Sequence, residues 1–130
     1  MSERYILVMK EVPSEDFSPL EPEFKVVYLD KMNEEEKAGL YSDILPNTEG
    51  IIATAGVSSE IIAKALKLKV IVVNGAGYDD IDVSAASALH IPVYNIPDLT
   101  ANATAELALT LMRDVARRVS DLNFKPRSEP

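Results

Sequence analysis

The chain has 130 residues, 47% of them hydrophobic and 26% charged, with a net charge of −8 and no cysteine. That composition suits one globular domain able to bury a core, and it excludes disulfides and thiolate metal sites. The acidity argues against nucleic acid and anionic membrane surfaces as partners, and no apolar run approaches the ~20 residues of a membrane span.

The first β-rich run is YILVM (5–9). It is too short for the apolar core of a signal peptide, so a cytoplasmic location is expected. KEVPSEDFSPLEPE, with its three prolines, predicts a loop holding at most one turn of helix. FKVVYL (24–29) is the second strand, and Asn33 is placed to cap a helix over NEEEKAGLYSDIL, whose glutamates complement the helix N-terminus. GIIAT (50–54) follows, then SEIIAKAL, capped by Ser58 or Ser59. VIVVN (70–74), a short helix SAASAL (84–89) and PVYNI (92–96) complete the alternation. The longest helix runs from roughly Ala101 to Leu122, capped by Thr100 or Asn102, and NFKPRSEP reads as a linker or frayed tail. Most strands are continuously apolar, which predicts a parallel sheet covered by helices. The order of elements predicts an open α/β fold with right-handed crossovers and flavodoxin-like strand order 2-1-3-4-5.

In such sheets ligands sit beyond the carboxyl ends of the strands. Four loops qualify: Lys10–Pro13, Ala55–Val57, Gly75–Asp80 and Pro97–Thr100. The most distinctive stretch is NGAGYDDIDV (74–83). As a dinucleotide fingerprint it fails, because Asp80 stands where the third glycine belongs and Asp79, Asp80 and Asp82 would repel a pyrophosphate. It reads as a tight turn with Asp82 capping the next helix, whose small residues also let backbone N–H groups approach a ligand. His90, the single histidine, enters the fifth strand from the opposite end of the sheet and reads as a surface residue. The aspartates lack the glutamate and flanking helices of a calcium loop, so no metal site is expected. Apolar residues wrap most of the long helix over 101–119, which predicts a covering partner: another domain or another copy of the chain.

Three linked motifs, G-A-G-Y-D-x-I-D-V, I-P-V-x-N-x-P and A-T-A-E-L-A, resemble the D-isomer-specific 2-hydroxyacid dehydrogenases over roughly residues 50–119. The resemblance implies a substrate domain over 1–100, an interdomain connecting helix over 101–122 and a tail over 123–130. It also implies a small 2-keto or 2-hydroxy acid as ligand, its carboxylate taken by the amides of Ala76 and Gly77, with Gly75 and Tyr78 beside them. Asn102 and Thr104 would lie near a nicotinamide. The family binds NAD(P) in a separate Rossmann domain that follows the long helix and carries the catalytic Arg, Glu and His. The chain stops at Pro130, before that segment, so it is expected to hold no cofactor and to be inactive alone. The competing expectation is a stand-alone binding or oligomerisation module. Asp80 and His90 depart from the family's usual Asn and Gly.

Overall fold

The computed structural model describes residues 3–124. Five parallel strands form one sheet in the order β2-β1-β3-β4-β5: β1 Tyr5–Val8, β2 Lys25–Tyr28, β3 Thr48–Ala53, β4 Val70–Val73 and β5 Val93–Tyr94. This is the expected fold and order. The helices between strands are α1 Glu34–Gly39, α2 Ser59–Lys64 and α3 Val83–Ala88. After the sheet come α4 Ala101–Arg117 and α5 Val119–Phe124. Contacts divide the chain into two compact units, the first ending at Pro97 and the second starting at Asp98.

Local chemistry explains the starts of the inter-strand helices. Asn33 and Glu36 form a reciprocal capping box on α1. Ser58 caps α2, and Asp82 caps α3 through the amide of Ala85 at 2.9 Å. The expected single helix to Leu45 is corrected: beyond Gly39 the chain loosens into a π-turn over Leu40–Ile44 and tightens into a 3₁₀ turn over Leu45–Asn47. Pro46 lacks the N–H that would continue the α-helical ladder.

α3 ends in a Schellman motif, with His90 N–H donating to Ser87 O (3.0 Å) and Ile91 N–H to Ala86 O (2.9 Å). His90 therefore adopts φ +57°, a left-handed conformation that costs a residue with a Cβ about 1–2 kcal/mol. His90→Gly is expected to stabilise the chain by a net ~0.5–1 kcal/mol, after the glycine's larger loss of freedom. A lower urea midpoint for the variant would refute this.

One face of the sheet carries the core. Val27, Leu7, Ile51, Ile71 and Val93 stand in register across all five strands. Leu7, Ile51 and Ile71, with Ile62, Ala65 and Ala86 of the helical side, belong to one buried cluster. The opposite face differs from the expectation of a sheet covered by helices. Its row runs Tyr28, Val8, Ile52, Val72 and Tyr94, with Val72 42% and Tyr94 60% exposed. A cleft of roughly 300 Å³ opens there, lined by Ile6, Phe17, Leu20, Ile52, Val72 and Ile96 among others. Topology supplies the reason. The β1–β2 connection travels in the opposite direction along the sheet from all later ones, so right-handed crossovers put it alone on this face. That connection holds only the 3₁₀ turn Ser18–Leu20.

At the amino ends of the strands Glu49 accepts from Arg4 in bidentate fashion (2.7 and 3.0 Å) and from Lys69 (2.7 Å). These contacts tie β1, β3 and β4 together, and the Arg4 hydrogen bonds first, then Lys69, hold the Glu49 carboxyl down to about 2. A depressed carboxylate pKa contributes stability that is present above the unfolded value near 4.3 and is lost as pH falls toward 2. Glu49→Gln is expected to flatten the stability profile in that window, read by urea unfolding between neutral pH and pH 2. An unchanged profile would exclude Glu49 as its source.

The second unit corrects the expectation for the long helix. Thr100 occupies the N-cap position without a side-chain capping bond, and Asn102 lies inside the first turn. The helix also breaks at Arg118, which is left-handed (φ +52°). The Asp114 carboxylate accepts from Ser120 N (2.8 Å) and Oγ (2.5 Å), which secures the start of α5 just past the break. Side-chain bonding of this kind has no periodic signature in the sequence. α5 takes in 123 and 124 of the expected tail, and 125–130 lie outside the described residues.

Candidate functional site

The turn between β4 and α3 projects from the carboxyl edge of the sheet. Gly75 leaves β4 at φ +155°, a conformation in which a side chain would be strained, although nothing lies within 4 Å of where its Cβ would stand. The segment after β5 then fixes two successive carbonyls. Ile96 N–H donates to Gly75 O (2.9 Å), and Asn95 Nδ2 donates to Ala76 O (2.8 Å).

These two bonds also set the direction of the amides. In a trans peptide the N–H points opposite to the C=O of the preceding residue, and no cis peptide occurs among the described residues. With the Gly75 and Ala76 carbonyls both drawn toward 95–96, the N–H groups of Ala76 and Gly77 both point away from it. Among the described residues neither amide has a protein acceptor, nor do those of Gly75 and Tyr78. Two unpaired N–H groups turned away from the same segment can make a small anion-accepting nest.

The far end of the turn is clamped. Val57 N–H donates to Asp80 O (3.2 Å) and Asp82 N–H to Val57 O (3.1 Å), while Ile81 N–H closes onto Tyr78 O (3.1 Å). Gly56 packs against this clamp so closely that a Cβ would stand 3.0 Å from the Asp80 carbonyl. Asp82 is occupied as the cap of α3, whereas Asp79 and Asp80 are exposed.

The structure thus brings Gly75, Ala76, Gly77 and Tyr78 into one turn. Asn102 and Thr104 lie in the other unit, exposed on the opening turns of α4. Asn95 is a site residue that the sequence alone does not single out. Its signal was present, since it is the asparagine of I-P-V-x-N-x-P, but the pattern does not say what that asparagine bonds. His90 is exposed and precedes β5, at the amino end of the sheet. No group of three or more metal-ligating side chains occurs among the described residues, and none of their helices is long and apolar enough to cross a membrane. The described residues do not fit a dinucleotide, because the glycine turn is acidic and lacks the third glycine of a pyrophosphate cradle.

The pattern that defines the catalytic domain of the D-isomer specific 2-hydroxyacid dehydrogenases matches residues 6–121. A glyoxylate reductase of Thermococcus litoralis is 39% identical over 77 residues, 59% of this chain and 23% of that protein. One from Thermococcus onnurineus is 25% identical over 125 residues, 95% of this chain and 37% of its own length. Among solved structures, a 2-hydroxyacid dehydrogenase from Ketogulonicigenium vulgare superposes with a TM-score of 0.79 at 26% identity, covering 95% of this chain and 39% of that one. The chain therefore spans well under half the length of these relatives.

Proposed function

The chain belongs to the D-isomer specific 2-hydroxyacid dehydrogenase family, and from that premise we propose that it is the N-terminal substrate-domain segment of an NAD(P)-dependent D-2-hydroxyacid dehydrogenase. In this reading the Ala76 and Gly77 amides hold the carboxylate of a small 2-keto or 2-hydroxy acid, with Gly75 and Tyr78 framing it. The observation that carries it is the pair of unpaired amides aimed the same way by Ile96 and Asn95. A carboxylate supplies the two acceptors and the single charge that such a pair suits.

The reaction proposed for the whole protein is reduction of a 2-keto acid to a D-2-hydroxy acid, in the cytoplasm. Residues 1–100 form the substrate domain in this proposal, and α4 and α5 make the connection that follows it. The described residues do not make the dinucleotide site. Their part is to bind the carboxylate and to orient the keto carbon at the sheet edge. Asn102 and Thr104 are assigned, on the family resemblance, to the neighbourhood of a nicotinamide held elsewhere. The exposed Leu107, Leu111, Met112 and Val115 of α4 favour burial against the cofactor domain or a second copy of the chain.

The test is a titration of the isotope-labelled chain with glyoxylate, pyruvate or hydroxypyruvate, followed by backbone amide NMR. Shifts centred on 75–78 are expected. Their absence would remove the carboxylate reading and favour a stand-alone interaction module. A parallel assay with NADH should show no turnover by the 130-residue chain, and turnover would overturn the proposed inactivity.

A further inference from the structure

Three neighbouring strands end level with one another at the carboxyl edge. Met9 N–H donates to Ile52 O (3.1 Å) and Asn74 N–H to Ala53 O (3.1 Å), so the chain leaves β1, β3 and β4 at one height. The backbone of Lys10 is then fixed at both polar atoms by one hydroxyl. Lys10 N–H donates to Thr54 Oγ1 (2.7 Å), and that hydroxyl donates to Lys10 O (2.6 Å). After Thr54 come Ala55 and Gly56, whose side chains reach no further than a methyl group. Lys10 and the Gly75–Tyr78 turn thus flank a strip of small residues, two strand spacings or about 10 Å apart.

The charge pattern singles out the same lysine. Among the described residues of the first unit, Arg4 and Lys69 pair with Glu49, Lys25 with Glu3, Lys31 with Glu11, Lys37 with Glu34 and Lys64 with Glu60. Lys67 is bonded to Asn47. Lys10 is exposed and has no side-chain partner among the described residues. A chain with net charge −8 has carboxylates to spare for every surface cation. This one, at the ligand edge, takes none, although Glu11 and Asp30 are close by: the Glu11 amide bonds Asp30 Oδ1 at 3.1 Å, and Glu11 itself pairs with Lys31.

We propose that Lys10 receives a second acidic group of the ligand, so that the substrate class is a 2-keto dicarboxylic acid of four or five carbons. The inference rests on the reading of the 75–78 turn as a carboxylate seat. A lysine's four-carbon stem spans roughly half of the ~10 Å gap, and a short dicarboxylic acid spans the remainder.

The experiment is an amide NMR titration of the parent chain, Lys10→Met and Lys10→Arg with pyruvate and with 2-ketoglutarate. The parent should bind 2-ketoglutarate about tenfold more tightly than pyruvate. Lys10→Met should abolish that preference and leave pyruvate binding unchanged, and Lys10→Arg should retain most of it. Equal binding of the two acids by the parent, or a preference that survives in Lys10→Met, overturns the proposal while leaving the carboxylate seat intact. Failure of both acids to shift 75–78 in the parent refutes the seat itself, and this inference with it.

Discussion

Asn95→Asp is expected to weaken 2-keto acid binding at the 75–78 turn by tenfold or more while leaving the fold intact. The amide of Asn95 holds the Ala76 carbonyl at 2.8 Å, and that bond aims the Gly77 N–H away from the 95–96 segment. A carboxylate at the same position cannot donate. It faces the carbonyl with like partial charge, frees the peptide to rotate and places a negative charge beside the proposed ligand anion. Asn95→Ala removes the donor without adding charge and should cost less. The measurement is the titration described above, with the spectra of the free variants confirming that shifts from the parent stay local to 74–77 and 94–96. Affinity unchanged in both variants would show that the turn needs no help from Asn95 and would remove its assigned role.

Ile71→Ala is expected to cost about 3–4 kcal/mol, a large part of the ~5–15 kcal/mol that holds a typical domain together. Ile71 is fully buried in the central core row, between Ile51 and Val93. Val72→Ala, one residue along the same strand, removes less bulk from the opposite face, where the side chain is 42% exposed, and should cost under ~1 kcal/mol. Urea denaturation of both variants tests the asymmetry of the sheet directly. Equal losses would mean that both faces are buried in solution.

Much of this architecture was legible from residue order alone. Runs such as VIVV and YILV are short, continuously apolar and rich in β-branched residues, as strands of a parallel sheet are, and Asn33, Ser58 and Asp82 announce their helices by capping chemistry that acts over three residues. The small residues of NGAGYDDIDV likewise exposed the turn, and its aspartates removed the phosphate reading. The break at Arg118 was not legible, because it depends on a bond between Asp114 and Ser120, six residues apart. The π-turn after Gly39 escaped for a similar reason, since the helical pattern continues through it.

The sequence by itself determined the class of fold, the strand order and the position of the turn at the carboxyl edge of the sheet, because periodicity, caps and crossover handedness are local or nearly local properties. Tertiary structure decided two things. Within the first unit it left one sheet face without an inter-strand α-helix among the described residues, which follows from where the first connection passes rather than from any strand's composition. It also aimed the Ala76 and Gly77 amides, because the bonds that orient them come from Asn95 and Ile96, brought alongside only when β5 joins β4.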